Sequence, residues 1–292
     1  MNMINFRRFG SARRMGVSAL SNDDIRHFAP SVFAEDKHIS RSDRYAYIPT
    51  VEILDGLREN GFMPTFVKQG GSRIPGKADF TKHLIRFRYQ GDAGGVRSVG
   101  DVFPEVVLRN SHDGTSSYHL DAGLFRLVCL NGMVVCERQF GSLKVPHKGD
   151  VLGKVIEGSF TVIEESRRAL DVAREWSGVT LNRDEQLLLA GAVHAVRFGD
   201  AEGVVDTAIR PDQLLQTRRV DDRPSDLWTV SNRIQENAIR GGLSAMGRDA
   251  LNRPRMTTTR EVKNIDGDVK LNKAIWALTE QMAALKGVAA AA

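Results

Sequence analysis

Near Val155 the hydrophobic period of this chain changes from two residues to about 3.6. Upstream, from about Thr65 to Phe140, β-branched and aromatic runs are separated by Gly, Asp-Gly and Asn-Gly punctuation. A two-residue period buries one face of a strand and a 3.6-residue period buries one stripe of a helix. The expected class is therefore α+β: a four-stranded antiparallel β-meander packed on a helix, followed by a mostly helical C-terminal half. Three regions follow: an N-terminal basic arm and short helix at 1–42, an antiparallel sheet with a helix at 43–155, and a helical region at 156–292 packed on the sheet.

Strands are expected near 82–89, 105–111, 117–129 and 133–140. In KHLIRFRY, alternation puts His83, Ile85, Phe87 and Tyr89 on one face and Lys82, Leu84, Arg86 and Arg88 on the other, which reads as a basic surface. A three-residue loop Asp113–Thr115 pairs Leu108 with Leu120 and Val106 with Ala122, leaving Arg109 opposite His119. A two-residue turn would instead set Leu108 against His119. Gly123 is expected to carry a bulge that turns Phe125, Leu127 and Cys129 inward, and Asn131-Gly132 to close a second hairpin pairing Arg126 with Glu137.

A short strand is read from Tyr45, then a helix from Pro49 and Thr50 with Val51, Leu54 and Leu57 at helical spacing, ended by Gly61. Further helices are expected near 22–28, 157–176, 183–198, 225–242 and 270–286. Ser21, Asn182 with Glu185, and Ser225 or Asp226 stand where N-caps belong. The Arg-rich connection 244–269 is long enough to read as a functional or mobile loop.

Hydrophobic residues at 41% and charged residues at 26% exclude disordered and fibrous classes. No uncharged apolar run reaches the ~18 residues that cross a bilayer, and the four N-terminal arginines lack a following apolar segment. The expectation is a cytoplasmic protein without a membrane partner, with Cys129 and Cys136 as buried thiols. Phosphate-loop, dinucleotide, nucleophile-elbow and metal-ligand motifs are all missing from the sequence, so no cofactor or metal is expected.

The net charge of +5 gains meaning from its placement. Lys82, Arg86 and Arg88 share a strand face; Arg109 and His119 face each other; Lys144 and Lys148 follow the fourth strand; Arg253, Arg255 and Arg260 decorate the long connection. Together these residues form a candidate track for a phosphate chain, with Tyr118 near enough to stack on bases. Two polar constellations stand beside it. In Asn110-Ser111-His112-Asp113 the Asp and Ser suit a turn that bonds its own backbone. On the 225–242 helix, Asn232, Arg233, Gln235, Glu236 and Asn237 suit either a solvated face held by local pairs or a polar face docked on the sheet or on phosphates. Trp228 and Trp276 read as core anchors.

Five blocks, LSNDDIRHFAPSVFA, RYAYIPT, LRNSHDGTSSYHLDAGLFRLVCLNGMVV, LWTVSNRIQENAIRGG and VKLNKAIWALTEQMA, together resemble the phage- and plasmid-borne "domain of unknown function 932" family over nearly the whole length. That resemblance implies a mobile-element setting and carries no established reaction. The order of a short strand, a helix, an antiparallel meander and then helices is also similar in layout to phage single-strand annealing proteins of the Redβ and Rad type. Those proteins bind single-stranded DNA in a basic groove and assemble into rings or filaments.

The resulting expectation is sequence-independent nucleic-acid binding, with single-stranded DNA as partner, annealing in recombination as its extension, and a homo-oligomer accompanying it. The alternatives are a metal-dependent nucleic-acid-processing enzyme using Asp113 and His112 assisted by Asp121 or Glu137, and a counter-defence protein that binds a host protein through its helical half.

Overall fold

The computed structural model describes residues 13–15, 18–39, 47–92, 101–126, 131–135, 142–200, 202–248 and 251–288. The chain divides into two compact units, one of residues 1–170 with 263–265 and the other of 171–262 with 266–292. The class is α+β.

In the first unit an antiparallel sheet runs β1 (Arg13–Met15), β2 (Phe62–Gln69), β3 (His83–Tyr89), β4 (Val102–Asn110), β5 (Tyr118–Arg126) and β6 (Asn131–Val134) in chain order, and β7 (Ser142–Val145) pairs the other half of the β5 edge. Its helices are α1 (Asn22–Phe28), α2 (Thr50–Glu59) and the N-terminal part of α3 (Val151–Trp176). The Ser21 hydroxyl and the Asp24 carboxylate form a reciprocal capping box on α1. Expected and observed bounds of this helix agree.

The β4–β5 register is the one that hydrophobic matching requires, with Leu108 opposite Leu120, Val106 opposite Ala122 and Arg109 opposite His119. It runs without interruption through Glu105 and Gly123, so the expected bulge at Gly123 does not occur. The reason is that both sheet faces are covered: Leu124 and Phe125 are each 1% exposed, and no parity change is needed to bury Phe125. Arg126 faces Asn131, which makes Asn131-Gly132 strand residues and corrects the expected pairing with Glu137. Leu127, Cys129, Cys136 and Glu137 lie outside the described residues. The expected short strand from Tyr45 is also corrected where it is described, since Tyr47 and Ile48 are irregular and the Ile48 carbonyl accepts a bond from the Tyr118 hydroxyl at 3.1 Å.

One sheet face, carrying Val67, Ile85, Phe87, Val106, Leu108 and Leu120, is fully apolar and buried along its middle. Helix α3 lies over it: Phe160 rings contact Phe62 and Tyr89, and Gly158 sits against Leu120 and Leu143. At 25 cal/mol per Å² such burial is the main favourable term for this unit.

The second unit holds the rest of α3, then α4 (Arg183–Phe198), α5 (Leu227–Arg240), a ribbon of β8 (Ser244–Arg248) and β9 (Pro254–Thr258), and α6 (Ile265–Leu285). Asn182 and Glu185 form the expected capping box on α4, and Asp226 caps α5 through the Thr229 amide. Trp176, Trp228 and Trp276 stack at 4.5–6.4 Å between centroids, confirming the two expected anchors as core. The connection 244–269 is not one long loop, because the ribbon and the start of α6 occupy most of it.

Gly241 ends α5 at φ +68°, and an added Cβ would stand 2.7 Å from the backbone of Thr259 and Arg260. Only glycine fits both constraints. Gly241→Ala is expected to destabilise this unit by about 1–3 kcal/mol, readable as a lower thermal midpoint. A midpoint unchanged from wild type would refute this reading of the α5 terminus.

Candidate functional site

The basic face expected on β3 exists by alternation but is not presented to solvent. Arg86 and Arg88 are only 5% and 8% exposed. Both reach Glu105 on β4, Arg86 Nη1 at 3.3 Å and Arg88 Nε at 2.9 Å, and Glu105 is fully buried. Arg88 lies over the Phe103 and Phe125 rings at 4.5 and 4.3 Å, and Arg86 donates to the Gly132 carbonyl at 2.9 Å. A Cβ on Gly132 would collide with the Arg86 guanidinium, so glycine is what admits it. Arg109 donates to Asp121 at 2.6 and 2.9 Å. These cations are internal ion pairs, which corrects their expected role as an exposed phosphate track. Lys82 and His119 are half-buried, and Lys144 and Lys148 are exposed.

At one end of the opposite face, the side chains of His83, Asn110, His112 and Tyr118 converge on the Thr50 hydroxyl at the start of α2. Its Oγ1 lies 3.0 Å from His83 Nε2, 3.0 Å from His112 Nε2, 3.1 Å from Asn110 Nδ2 and 3.2 Å from the Tyr118 hydroxyl. Ser31 Oγ meets His83 Nδ1 at 2.9 Å, and His147 Nε2 meets Asn110 Oδ1 at 3.0 Å. A hydroxyl has one proton and two lone pairs. Asn110 Nδ2 can only donate, and two imidazolium rings would add two more donors, so His83 and His112 cannot both be charged.

Burial has the same sense. It holds the His83 ring well below its ordinary value, with His112 repelling a second charge, and it lowers His112 to about 4. Burial lowers His147 too. Asp113 is pushed up by burial, but hydrogen bonds from Thr115 and Ser111 and the Lys77 ammonium at 3.2 Å outweigh it and keep the carboxylate ionised. Asp113 Oδ1 accepts from the Thr115 amide and Ser111 Oγ from the Ser116 amide, the self-bonding turn that Asp and Ser imply at these positions.

Of the residues expected there, the structure brings together Asn110, Ser111, His112 and Asp113, and adds Ser31, Thr50, His83, Tyr118 and His147. Sequence spacing carries no signal for that assembly. His119 points to the other face, between Arg109 and Lys144. Thr50, His83, Asn110, Ser111 and His112 are fully buried, so the cluster is a locked internal network. Among the described residues no group of three or more His, Cys, Asp or Glu is placed to share a metal ion. Asp113 is committed to Thr115 and Lys77, and Asp121 to Arg109.

On α5 the polar constellation is also inside, which removes the solvated-face reading. Glu236 is paired with Arg219 and Arg240, Asn237 donates to the Leu214 and Gln216 carbonyls at 2.9 and 2.8 Å, Gln235 bonds Asn272, and Asn232 donates to the Trp228 carbonyl. Burial raises the Glu236 carboxyl, but Arg219 and Arg240 outweigh it. Arg233 is 7% exposed beside Gln186.

Among the arginines of the expected phosphate track, those that face solvent are on or beside the β8–β9 ribbon. Its base is fixed by Gln213 donating to the Ser244 carbonyl at 2.9 Å and by the Thr259–Leu243 backbone bond at 2.8 Å. Register sets Met246 opposite Met256 and Arg248 opposite Pro254 on one face, and Gly247 opposite Arg255 on the other. Met246 and Met256 are 63% and 58% exposed, and every residue of β9 is exposed. Arg253 and Arg260, also exposed, flank β9, and neither strand carries an acid. The methionine pair was hidden from sequence reading because PRMTT lacks the apolar alternation that marks a strand.

A family model described as "Domain of unknown function (DUF932)" matches residues 37–276. The chain belongs to this family. Two relatives from Escherichia coli, UPF0380 protein YafZ and UPF0380 protein YfjQ, are each 44% identical over 276 residues, covering 94% of this chain and 96% of theirs. No solved structure matches. The match spans the whole His–Thr–Asn network except Ser31, and the whole ribbon. Among the described residues, no helix of this DUF932 protein is long and apolar enough to cross a membrane.

Proposed function

We propose that this protein binds nucleic acid without sequence preference and takes single-stranded DNA on the β8–β9 ribbon, acting in the cytoplasm of a bacterium that carries a phage, prophage or plasmid. The observation that carries the reading is the contrast between two sets of arginines. Arg86 and Arg88 of the sheet are buried against Glu105, whereas Arg248, Arg253 and Arg255 are exposed on the ribbon.

Guanidinium groups contact phosphate oxygens whatever the base, and the exposed Met246–Met256 pair offers apolar surface to bases that are not stacked in a duplex. Annealing would add self-association, because one ribbon supplies few phosphate contacts.

Fluorescence polarisation with labelled oligonucleotides of mixed sequence tests the reading. Single strands are expected to bind more tightly than duplexes of the same length. The Met246→Ser/Met256→Ser variant is expected to narrow that preference, and light scattering with and without DNA reads the self-association. Absence of binding to either form at low salt would overturn the proposal.

A further inference from the structure

We propose that the second unit contains a phosphate-group site built on Arg233, separate from the ribbon. The side chain projects from the middle of α5 and is 7% exposed, yet its guanidinium has little to hold it. Nη2 reaches the Gln186 side-chain oxygen at 3.5 Å, the outer limit of a hydrogen bond, and Nε is buried with no hydrogen-bond partner among the described residues. Gln186 is a neutral amide whose own Nε2 is spent on the Leu181 carbonyl at 3.1 Å.

The acids that sense Arg233 are engaged elsewhere. Asp222 receives Arg219 at 2.8 Å, and Asp226 caps α5 by accepting the Thr229 amide at 2.8 Å. Arg183, exposed at the first position of α4, adds a second positive charge that repels the first. Asp222 and Asp226 attract Arg233, but they do not offset its burial and the repulsion of Arg183, so a guanidinium hydrogen-bonded only to a neutral amide is costly here, and removing it in favour of an apolar side chain is expected to cost little or to stabilise. An oxyanion resolves the conflict, because it accepts from the unused Nε–H of Arg233 and is attracted by Arg183. The planar fork of arginine matches a phosphoryl group. The ligand class is a phosphate monoester or inorganic phosphate, from a strand terminus or from a small molecule.

The test uses the full chain with inorganic phosphate, followed by phosphorus NMR and by thermal unfolding against chloride at equal ionic strength. Phosphate is expected to bind saturably and raise the unfolding midpoint of the wild type. Arg183→Ala, which alters an exposed side chain, is expected to weaken phosphate about fivefold to tenfold. Arg233→Met is expected to abolish binding while melting at or above the phosphate-free wild type. Comparing oligonucleotides with a 5′-phosphate and a 5′-hydroxyl identifies the source: tighter binding of the former assigns a strand end, and equal binding assigns a small phosphate compound. The proposal is overturned if phosphate acts no differently from chloride, if Arg183→Ala binds phosphate as the wild type does, or if Arg233→Met is folded and responds to phosphate unchanged. It is also overturned if Arg233→Met melts far below the wild type, since the guanidinium would then be a structural cation already satisfied.

Discussion

Glu105→Gln is expected to cost the first unit about 3–5 kcal/mol, the penalty for stranding a buried charge. Here one carboxylate, itself fully buried, neutralises two guanidiniums that are 5% and 8% exposed. Carbonyls at Gly132 and Met133 and the Phe66, Phe103 and Phe125 rings solvate Arg86 and Arg88 but bring no counter-charge. The amide would leave both positive charges inside the sheet with no compensation on β4. For a unit of this size the thermal midpoint should fall by on the order of 10 °C. Replacing Arg86, Arg88 and Glu105 together by Met should recover most of that loss, because it removes the charges along with the partner. If Glu105→Gln melts like the wild type, the guanidiniums are not held by this carboxylate and the sheet interior has been misread.

Acid should destabilise the same unit well before its carboxylates titrate. An unfolded histidine takes up a proton near pH 6.5, whereas folded His112 holds out to about 4, and His83 and His147 are lowered as well. Between those values the unfolded chain binds protons that the folded chain refuses, so stability is full above pH 6.5 and declines as pH falls toward 4. His112 alone accounts for about 3 kcal/mol across that window. Asp113 does not offset this. Its lowered carboxyl contributes stability above the unfolded value of 3.8 and loses it at still lower pH. Urea unfolding followed at pH 7.5 and pH 5 should show the decline, and His112→Gln should flatten it. Equal stability at both pH values would show that the rings are charged in the fold.

Where each expectation held, the deciding information was local. The Asp113–Thr115 connection fixes a register because one slipped residue would put His119 against Leu108, and the caps at Ser21, Asn182 and Asp226 lie within three residues of the amides they satisfy. Where expectation failed, the deciding partner was distant in sequence. Alternation correctly separates Arg86 and Arg88 from Ile85 and Phe87, but whether that face is wet depends on Glu105 and Gly132. β2 contains Pro64 and shifts register between Pro64 and Phe66, which erases its period. Bonds to the Thr50 hydroxyl span up to 68 positions, and no spacing rule reaches that far. The ribbon arginines were legible as charge, while the paired methionines between them needed the register.

The central claim, that the exposed ribbon and not the sheet carries nucleic acid, is tested most directly by the salt dependence of single-strand affinity. Wild type and the Arg248→Ala/Arg253→Ala/Arg255→Ala variant are titrated with the same labelled strand over a series of NaCl concentrations. Three lost phosphate contacts should weaken binding more than tenfold at low salt and make the slope of log affinity against log salt shallower by about 0.7 for each contact, without changing the melting curve. A folded triple variant whose affinity and slope coincide with those of the wild type would contradict the assignment.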